Sequence, residues 1–283
     1  MKKVLSPKIA VVVLHYNNIA DTRRCLSSLE KYRNSNFNIV VVDNGSPQEK
    51  VTPLEKEFNN DYYIYSPKNL GFAKGNNLGF KFAKEKLKAD IIILANNDTV
   101  FNQPDFVEKL TQHWKKGFDV AGPSLLSSQG KINQNPVPTL FHNVNEVNKR
   151  LRNLRVLHVL AYLNLDITFK NMLKINNVTD KKIDTNKNDF QLYGACLIFS
   201  GNYVKNYDGL YDKTFMYGEE SILKYITVRD NLKLRYFDDL VVNHVGGSTM
   251  EKIYGSGKNK RKFYYYWNIQ GCKILKKLME SNN

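Results

Sequence analysis

The first third of the chain repeats one pattern, a short apolar run followed by a longer stretch with apolar residues at helical spacing. The runs Ile9-Ala-Val-Val-Val-Leu14, Ile39-Val-Val-Val42 and Ile91-Ile-Ile-Leu94 are rich in β-branched residues, and Tyr62-Tyr-Ile-Tyr65 is a fourth candidate strand. A strand with one wet face alternates apolar and polar residues. Unbroken apolar runs instead predict strands covered on both faces, as in a parallel sheet. Helices are predicted between them, over about 19–32, 48–58, 72–87 and 105–116. The alternation predicts an α/β fold, a Rossmann-like and mostly parallel central sheet flanked by helices.

The pattern changes past residue 125. Residues 127–188 contain Pro136, Pro138, many Asn and Lys, and one basic apolar stretch over 149–165, and are predicted as an insertion of short helices and loops. Order returns with one predicted strand over 190–199, a helix opening near Glu219, and strands over 232–237 and 240–244. A basic amphipathic helix is predicted to close the chain within residues 258–283. The whole reads as a single domain with a first half over 1–125 and a second half over 126–257 that carries the insertion.

A chain of 283 residues can bury a sizeable core. Its 12% aromatic content argues against a disordered chain. Lys and Arg outnumber Asp and Glu by 42 to 27, a formal charge of +15, so the partner should be anionic: nucleic acid, a phosphorylated substrate or acidic lipid. Cys25, Cys196 and Cys272 are too few and too scattered for a disulfide framework or a zinc site, and read as reduced thiols of a cytosolic protein. The N-terminus starts basic without developing a signal core, and no segment reaches the roughly 20 apolar residues needed to cross a bilayer. Any membrane contact is therefore expected to be peripheral, at the inner face of the cell membrane.

Ligands of open α/β sheets bind beyond the carboxyl ends of the strands. Four polar clusters stand there: His15-Tyr16-Asn17-Asn18, Asp43-Asn44-Gly45-Ser46, Asn69-Leu-Gly-Phe-Ala-Lys-Gly-Asn-Asn77 and Asn96-Asn97-Asp98-Thr99. Converging on one edge, they would form a nest for a nucleotide diphosphate and a cation. Taken singly, each has a plainer explanation. Asp43 to Pro47 is a good turn sequence, Asn69 to Asn77 could cap a helix, Asp98 could cap a turn, and His15 could be a satisfied strand-end histidine. No GxGxxG fingerprint is present. Their order at successive strand ends is what favours a site.

Seven stretches in order resemble the family 2 glycosyltransferases with the GT-A fold, especially their rhamnosyltransferase-like branch. They are Val11-Val-Val-Leu-His-Tyr-Asn-Asn18, Val40-Val-Val-Asp-Asn-Gly-Ser46, Asn69 to Asn77, Leu94-Ala-Asn-Asn-Asp-Thr99, Tyr193-Gly-Ala-Cys196, Phe215-Met-Tyr-Gly-Glu-Glu220 and Val242-Asn-His-Val-Gly-Gly-Ser248. The resemblance implies an inverting, metal-dependent transfer of rhamnose or another hexose to a glycan hydroxyl, in bacterial surface polysaccharide synthesis. The donor would be a UDP- or dTDP-sugar, the cation Mg²⁺ or Mn²⁺, and the acceptor a glycan that a lipid could carry. His15, Tyr16 and Asn17 with Asp43 would hold the base and ribose; Asn69, Gly71, Lys74, Asn76, Asn96 and Asn97 would complete the nucleotide-sugar site. Asp98 stands in the family's Asp-x-Asp motif and would bind the metal with His244. Glu220, second of the acidic pair Glu219-Glu220, would be the catalytic base. Residues 1–125 would then be the donor half and 126–257 the acceptor half.

Relatives usually carry an acid at the position of Ile222 and an arginine near Ile226, so a catalytically weakened scaffold is the alternative expectation. The basic, aromatic segment Lys258 to Trp267 and the arginines Arg150, Arg152 and Arg155 allow two explanations, a solvated basic face or an interfacial helix on anionic lipid. No nucleic-acid-binding module is visible, so nucleic acid is not expected as a partner.

Overall fold

In the computed structural model, β1 (Ile9–His15) runs parallel to β2 (Phe37–Asp43) on one side and β4 (Ile91–Asn96) on the other, and β3 (Tyr62–Tyr65) extends the sheet beyond β2. The structure describes residues 6–127, 132–172, 183, 189–246 and 257–281. Alternate residues of each inner strand point to opposite faces, and both faces are covered. Val11, Val13, Ile39, Val41, Ile91 and Ile93 pack with α1 (Ile19–Leu29), α2 (Thr52–Glu57) and α4 (Phe106–Lys116). Ala10, Val12, Val40, Val42, Ile92 and Leu94 pack with α3 (Phe72–Glu85) and α7 (Gly201–Asn206). This double cover is why the runs are apolar without a break. A Cβ on Gly79 would stand 2.3 Å from Val12 Cγ1, so glycine lets α3 lie close on the sheet.

The full order is β3-β2-β1-β4-β9-β6-β10-β5, where β5 is Thr99–Val100, β6 Val120–Ser127, β9 Cys196–Phe199 and β10 Leu234–His244. A separate ladder pairs β7 (Val137–Pro138) with β8 (Phe190–Gln191). The sheet is α/β and mixed. Strand β9 is antiparallel to both β4 and β6, and β5 is antiparallel to β10.

Several elements differ from their sequence expectations. The helix expected over 48–58 is only α2, because the N–H groups of Gln48 and Glu49 donate to Asn17 Oδ1 and Pro53 sits at the helix start. Strand β6 is not predicted by its sequence, because Gly122 and Pro123 interrupt its apolar run. The strand expected over 190–199 divides into β8 and β9; between them Leu192 stays in the core, and Tyr193, Gly194 and Ala195 border a cleft at the sheet edge. The two strands expected over 232–244 are one, β10, with a register shift between Phe237 and Val241.

The middle segment departs most. It holds α5 (Val144–Tyr162), 19 residues long, and α6 (Asp166–Met172), while residues 128–131, 173–182 and 184–188 of the expected insertion lie outside the described residues. Asn143 caps α5 by accepting from Glu146 N at 3.0 Å. Asn145, Asn148 and Asn153 each disfavour a helix by up to about 0.7 kcal/mol. Burial of one leucine contributes about 1.5–3 kcal/mol, and Val147, Leu151, Leu154 and Leu157 form a stripe of such residues. That stripe packs on Tyr265, Ile269, Cys272 and Leu275 of α9 (Lys258–Glu280), and Ile222 and Ile226 of α8 (Glu219–Arg229) complete the cluster. The helix stands because its partner is the far end of the chain, which no local pattern reveals. No helix among the described residues is long and apolar enough to cross a membrane.

Candidate functional site

A cleft of about 300 Å³ opens at the carboxyl edge of β1 and β4, lined by Tyr16, Asn44, Asn69, Gly71, Asn96, Asn97, Asp98, Tyr193, Gly194, Glu219, Glu220 and His244 among others. Its floor is built by the glycine-bearing loop before α3. Asn44 donates through Nδ2 to Asn69 Oδ1 and to the Gly71 carbonyl, both at 3.1 Å, and accepts from Leu70 N at 3.0 Å. Gly71 has φ +83°, and a Cβ there would stand 2.2 Å from the Phe215 carbonyl oxygen. Only glycine fits both the conformation and the space. Phe72 N donates to that same carbonyl at 2.7 Å, which joins α3 to the segment leading into α8.

Not every expected donor-site residue reaches the cleft. His15 is fully buried, with Nδ1 2.7 Å from Thr22 Oγ1 and Nε2 2.6 Å from the Glu49 carbonyl, and burial lowers its pKa. Asp43 accepts from Ser46 N at 2.8 Å and Val51 N at 3.1 Å. Asn17 holds Gln48 and Glu49 as described, and its own N–H donates to Ser46 Oγ. These three shape the loops after β1 and β2 from within, through hydrogen bonds to groups inside the protein. Lys74 is exposed beside a different cavity, lined also by Asn77, Asp208 and Tyr211. Asn76 is buried, donating to the Phe72 carbonyl, and is not part of the cleft wall. Tyr16, Asn69, Gly71, Asn96 and Asn97 do line it, and Asn97 Nδ2 is anchored on Thr22 Oγ1 at 3.0 Å.

Asp98 and His244 meet across the cleft although 146 positions separate their numbers. Asp98 follows β4 and His244 ends β10. Backbone pairing brings them together: His244 registers with Thr99, and Val245 N donates to the Asp98 carbonyl at 2.9 Å. His244 Nδ1 lies 2.7 Å from Gln134 Oε1, an acceptor, so in the neutral ring Nδ1 carries the proton. Nε2 then presents a lone pair 3.4 Å from Asp98 Oδ1, a buried oxygen with no hydrogen-bond partner. Two bare acceptors facing each other fit a divalent cation, with the second-nitrogen hydrogen bond usual for a histidine ligand. Among the described residues no group of three or more His, Cys, Asp or Glu side chains gathers as a metal site. Such a cation would therefore complete its shell with waters or ligand phosphates.

The acidic pair opens α8, where Gly218 at φ +96° starts the helix and the free N–H groups favour negative charge. Glu219 is buried, and its Oε1 has no partner. Burial, then the neighbouring Glu220, pushes its pKa up. Burial also raises Glu220, opposed by backbone N–H groups that include Gly194. Glu220 also lines a second cavity of about 400 Å³, on the other side of Tyr193 and Tyr217, bounded by Phe141, Arg150, Tyr264 and Leu275. Ile222 and Ile226 face away, into the α5–α9 cluster, so their aliphatic character serves packing.

Tyr193, Gly194, Gln134 and Asn44 went unassigned from sequence. Tyr193 and Gly194 belong to a recognised motif, and their loop precedes β9 because that antiparallel strand starts at the cleft edge. The Tyr193 hydroxyl is raised in pKa by burial and then by the charges of Glu220 and Asp98. Nothing in the sequence around Gln134 marks it.

A family model described as glycosyl transferase family 2 matches residues 10–180. The chain is 24% identical over 239 residues to the low-salt glycan biosynthesis hexosyltransferase Agl10 of Haloferax volcanii, an alignment that covers 83% of this chain and 66% of Agl10. Its fold is similar to the crystal structure of S. aureus TarS 1–349 in complex with UDP (TM-score 0.54, 16% identity), over 85% of this chain and 61% of that one. It is likewise similar to the mannosyltransferase PcManGT from Pyrobaculum calidifontis in complex with GDP-Man and Mn²⁺ (TM-score 0.53, 11% identity), over 96% of this chain and 74% of that one. The chain thus spans slightly less than two thirds of the length of Agl10 and of the TarS fragment.

Proposed function

Because the chain belongs to glycosyl transferase family 2, we propose that its cleft binds a nucleotide-diphosphate sugar and passes the sugar, with inversion, to a glycan hydroxyl. The position of Glu220 carries the proposal, since its side chain lies in the wall shared by two cavities. One of these holds the asparagine-rich loop and Asp98, features suited to a donor diphosphate. The other is walled by Tyr193, Tyr217, Tyr264 and Phe141, flat surfaces suited to an acceptor sugar.

In this reading Asn44 and Asn69 hold the loop whose backbone faces the donor, and Tyr16, Asn96 and Asn97 border the nucleotide. Asp98 and His244 would hold Mg²⁺ or Mn²⁺, which supplies charge neutralisation for the diphosphate. Glu220 accepts the proton of the attacking acceptor hydroxyl. The new bond forms between that oxygen and the anomeric carbon as the carbon–oxygen bond to the diphosphate breaks, and the diphosphate leaves with the electron pair. General-base assistance of this kind is worth ~10²–10⁴-fold. Residues 1–125 serve as the donor half and 126–257 as the acceptor half. A hexose donor is supported by the name of Agl10, and a UDP carrier by the TarS complex. Rhamnose, dTDP and GDP are further arms of the donor test.

The test is a donor panel read by thermal shift and by release of nucleoside diphosphate, with and without Mn²⁺. Donor binding that rises with Mn²⁺ and is lost in Asp98→Ala is expected. Glu220→Gln should bind donor as the native protein does and lose transfer. Full transfer by that variant would remove Glu220 from the role of base, and indifference to every nucleotide sugar would remove the function.

A further inference from the structure

Helices α5 and α9 lie antiparallel, and the side they turn away from the acceptor cavity carries an unusual surface. Arg152 and Arg155 of α5 and Lys273, Lys276 and Lys277 of α9 line one groove, with Glu280 as its one acid. The sole ion pair recorded among the described groove residues is Lys276 to Glu280 at 3.6 Å. Five cations held this close repel one another, and nothing in the fold of the two helices requires them, because the seam itself is apolar.

Along the same seam the surface turns apolar. Val159 and Leu163 are 65% and 66% exposed, and Met172 of α6 is 70% exposed. Tyr162 lies under Lys262 Nζ at 4.3 Å, and the ring of Tyr266 is 6.2 Å from that of His158, so both helices contribute here too. The corner between α5 and α6 is fixed: Arg261 Nε binds Asp166 at 2.7 Å, and Tyr265 donates to the same carboxylate at 2.9 Å. Isolated exposed aliphatic residues are ordinary, but a patch of them on a clamped corner beside a cationic groove is not.

We propose that this α5–α9 face docks on a bilayer surface that carries anionic headgroups, with the groove over the headgroup phosphates and the Val159–Leu163 corner set at the boundary between headgroups and acyl chains. Charge complementarity selects the anionic surface, and the aliphatic corner selects lipid over nucleic acid, whose phosphates and bases offer no use for exposed valine and leucine. The α5–α9 pair would then stand between the bilayer and the acceptor cavity. Docking rests on surface residues alone and is independent of the transfer reaction.

Flotation of the full chain with phosphatidylcholine vesicles, with and without phosphatidylglycerol, tests it. Binding is expected only with phosphatidylglycerol, weakening as salt rises. Each cation near an anionic surface is worth about fivefold in partitioning, so Arg152→Glu, Lys273→Glu and Lys277→Glu together should reduce binding by well over ~100-fold. Val159→Ser with Leu163→Ser should weaken it while leaving the melting temperature unchanged, since both side chains are exposed. No binding to either vesicle overturns the proposal, as does binding that both variant sets leave intact. Concentration-dependent dimerisation abolished by the serine pair would show the face to be buried between copies, and tight binding to a generic oligonucleotide but not to vesicles would assign it to nucleic acid. Either result overturns docking on lipid.

Discussion

Substituting Gly194 by alanine should separate the position of Glu220 from its presence. A Cβ at Gly194 would stand 2.9 Å from Glu220 Oε1, against 3.4 Å for an ordinary contact, so the carboxylate must retreat by about 0.5 Å. The Gly194 backbone does not lie in the left-handed region, so alanine brings no strain of its own. Removing a glycine's freedom from the unfolded chain adds about 0.4–1 kcal/mol, which offsets part of the cost of the shift. Melting temperature should therefore hardly move. Misplacing a reacting group by about 1 Å costs ~10²-fold, so half that displacement should lower kcat by ~10-fold or more. The donor KM should stay, because Gly194 presses on the base rather than on the asparagine loop. The assay is nucleoside diphosphate release at saturating donor, alongside a thermal melt. Combining Gly194→Ala with Glu220→Gln should be no worse than Glu220→Gln alone, since a base already disabled has nothing further to lose by moving. An unchanged kcat in Gly194→Ala, or full additivity in the double variant, would refute the reasoning.

Gly71→Ala should destabilise by about 3 kcal/mol or more, from a glycine-only conformation and the 2.2 Å approach to Phe215 O, read as a lower denaturant midpoint. Ile222→Asp, which restores the acid usual in the family, should also destabilise by about 3 kcal/mol or more, because it places a carboxylate in the apolar α5–α8–α9 cluster. A stable and more active Ile222→Asp would instead show that this side of α8 serves the acceptor. Glu219→Gln tests the pH dependence. Because the folded pKa of Glu219 is raised above the ordinary 4.5, its ionisation opposes folding, and native stability falls as pH climbs from that range toward about 7. The glutamine variant should match the native protein at low pH and exceed it above neutrality, by on the order of 3 kcal/mol. A stability difference that does not change with pH would contradict this.

Where both faces of a strand are covered, composition alone reveals it, so the runs at Ile9, Ile39 and Ile91 were legible. Strand β6 and the β8–β9 break were not, since glycine, proline and a loop turned toward the cleft erase the local period. Helix α5 was hidden for another reason, that its stripe is stabilised by residues more than a hundred positions away. The site divides the same way. Position at a strand's carboxyl end predicts the edge at which Tyr16, Asn69, Asn97 and Asp98 line the cleft. It could not tell that His15 and Asp43 turn inward, because side-chain direction is decided by whichever buried backbone groups need partners. Gln134, the partner of His244, had no signal at all.

Strand β9 sits in the middle of the sheet, and Phe199 pairs there with Ile92 on one side and Val120 on the other. Until it inserts, β3-β2-β1-β4 and β6-β10-β5 are two separate ribbons, each with a raw hydrogen-bonding edge. Closing that gap requires the whole intervening chain to loop back, a slow, non-local step in folding. A fragment that ends before residue 196 would hold the four polar clusters that follow β1, β2, β3 and β4 and still expose β4 as an adhesive edge, prone to pair with a second copy. The amino-terminal half is therefore dependent for its solubility on a four-residue strand that is made long after it.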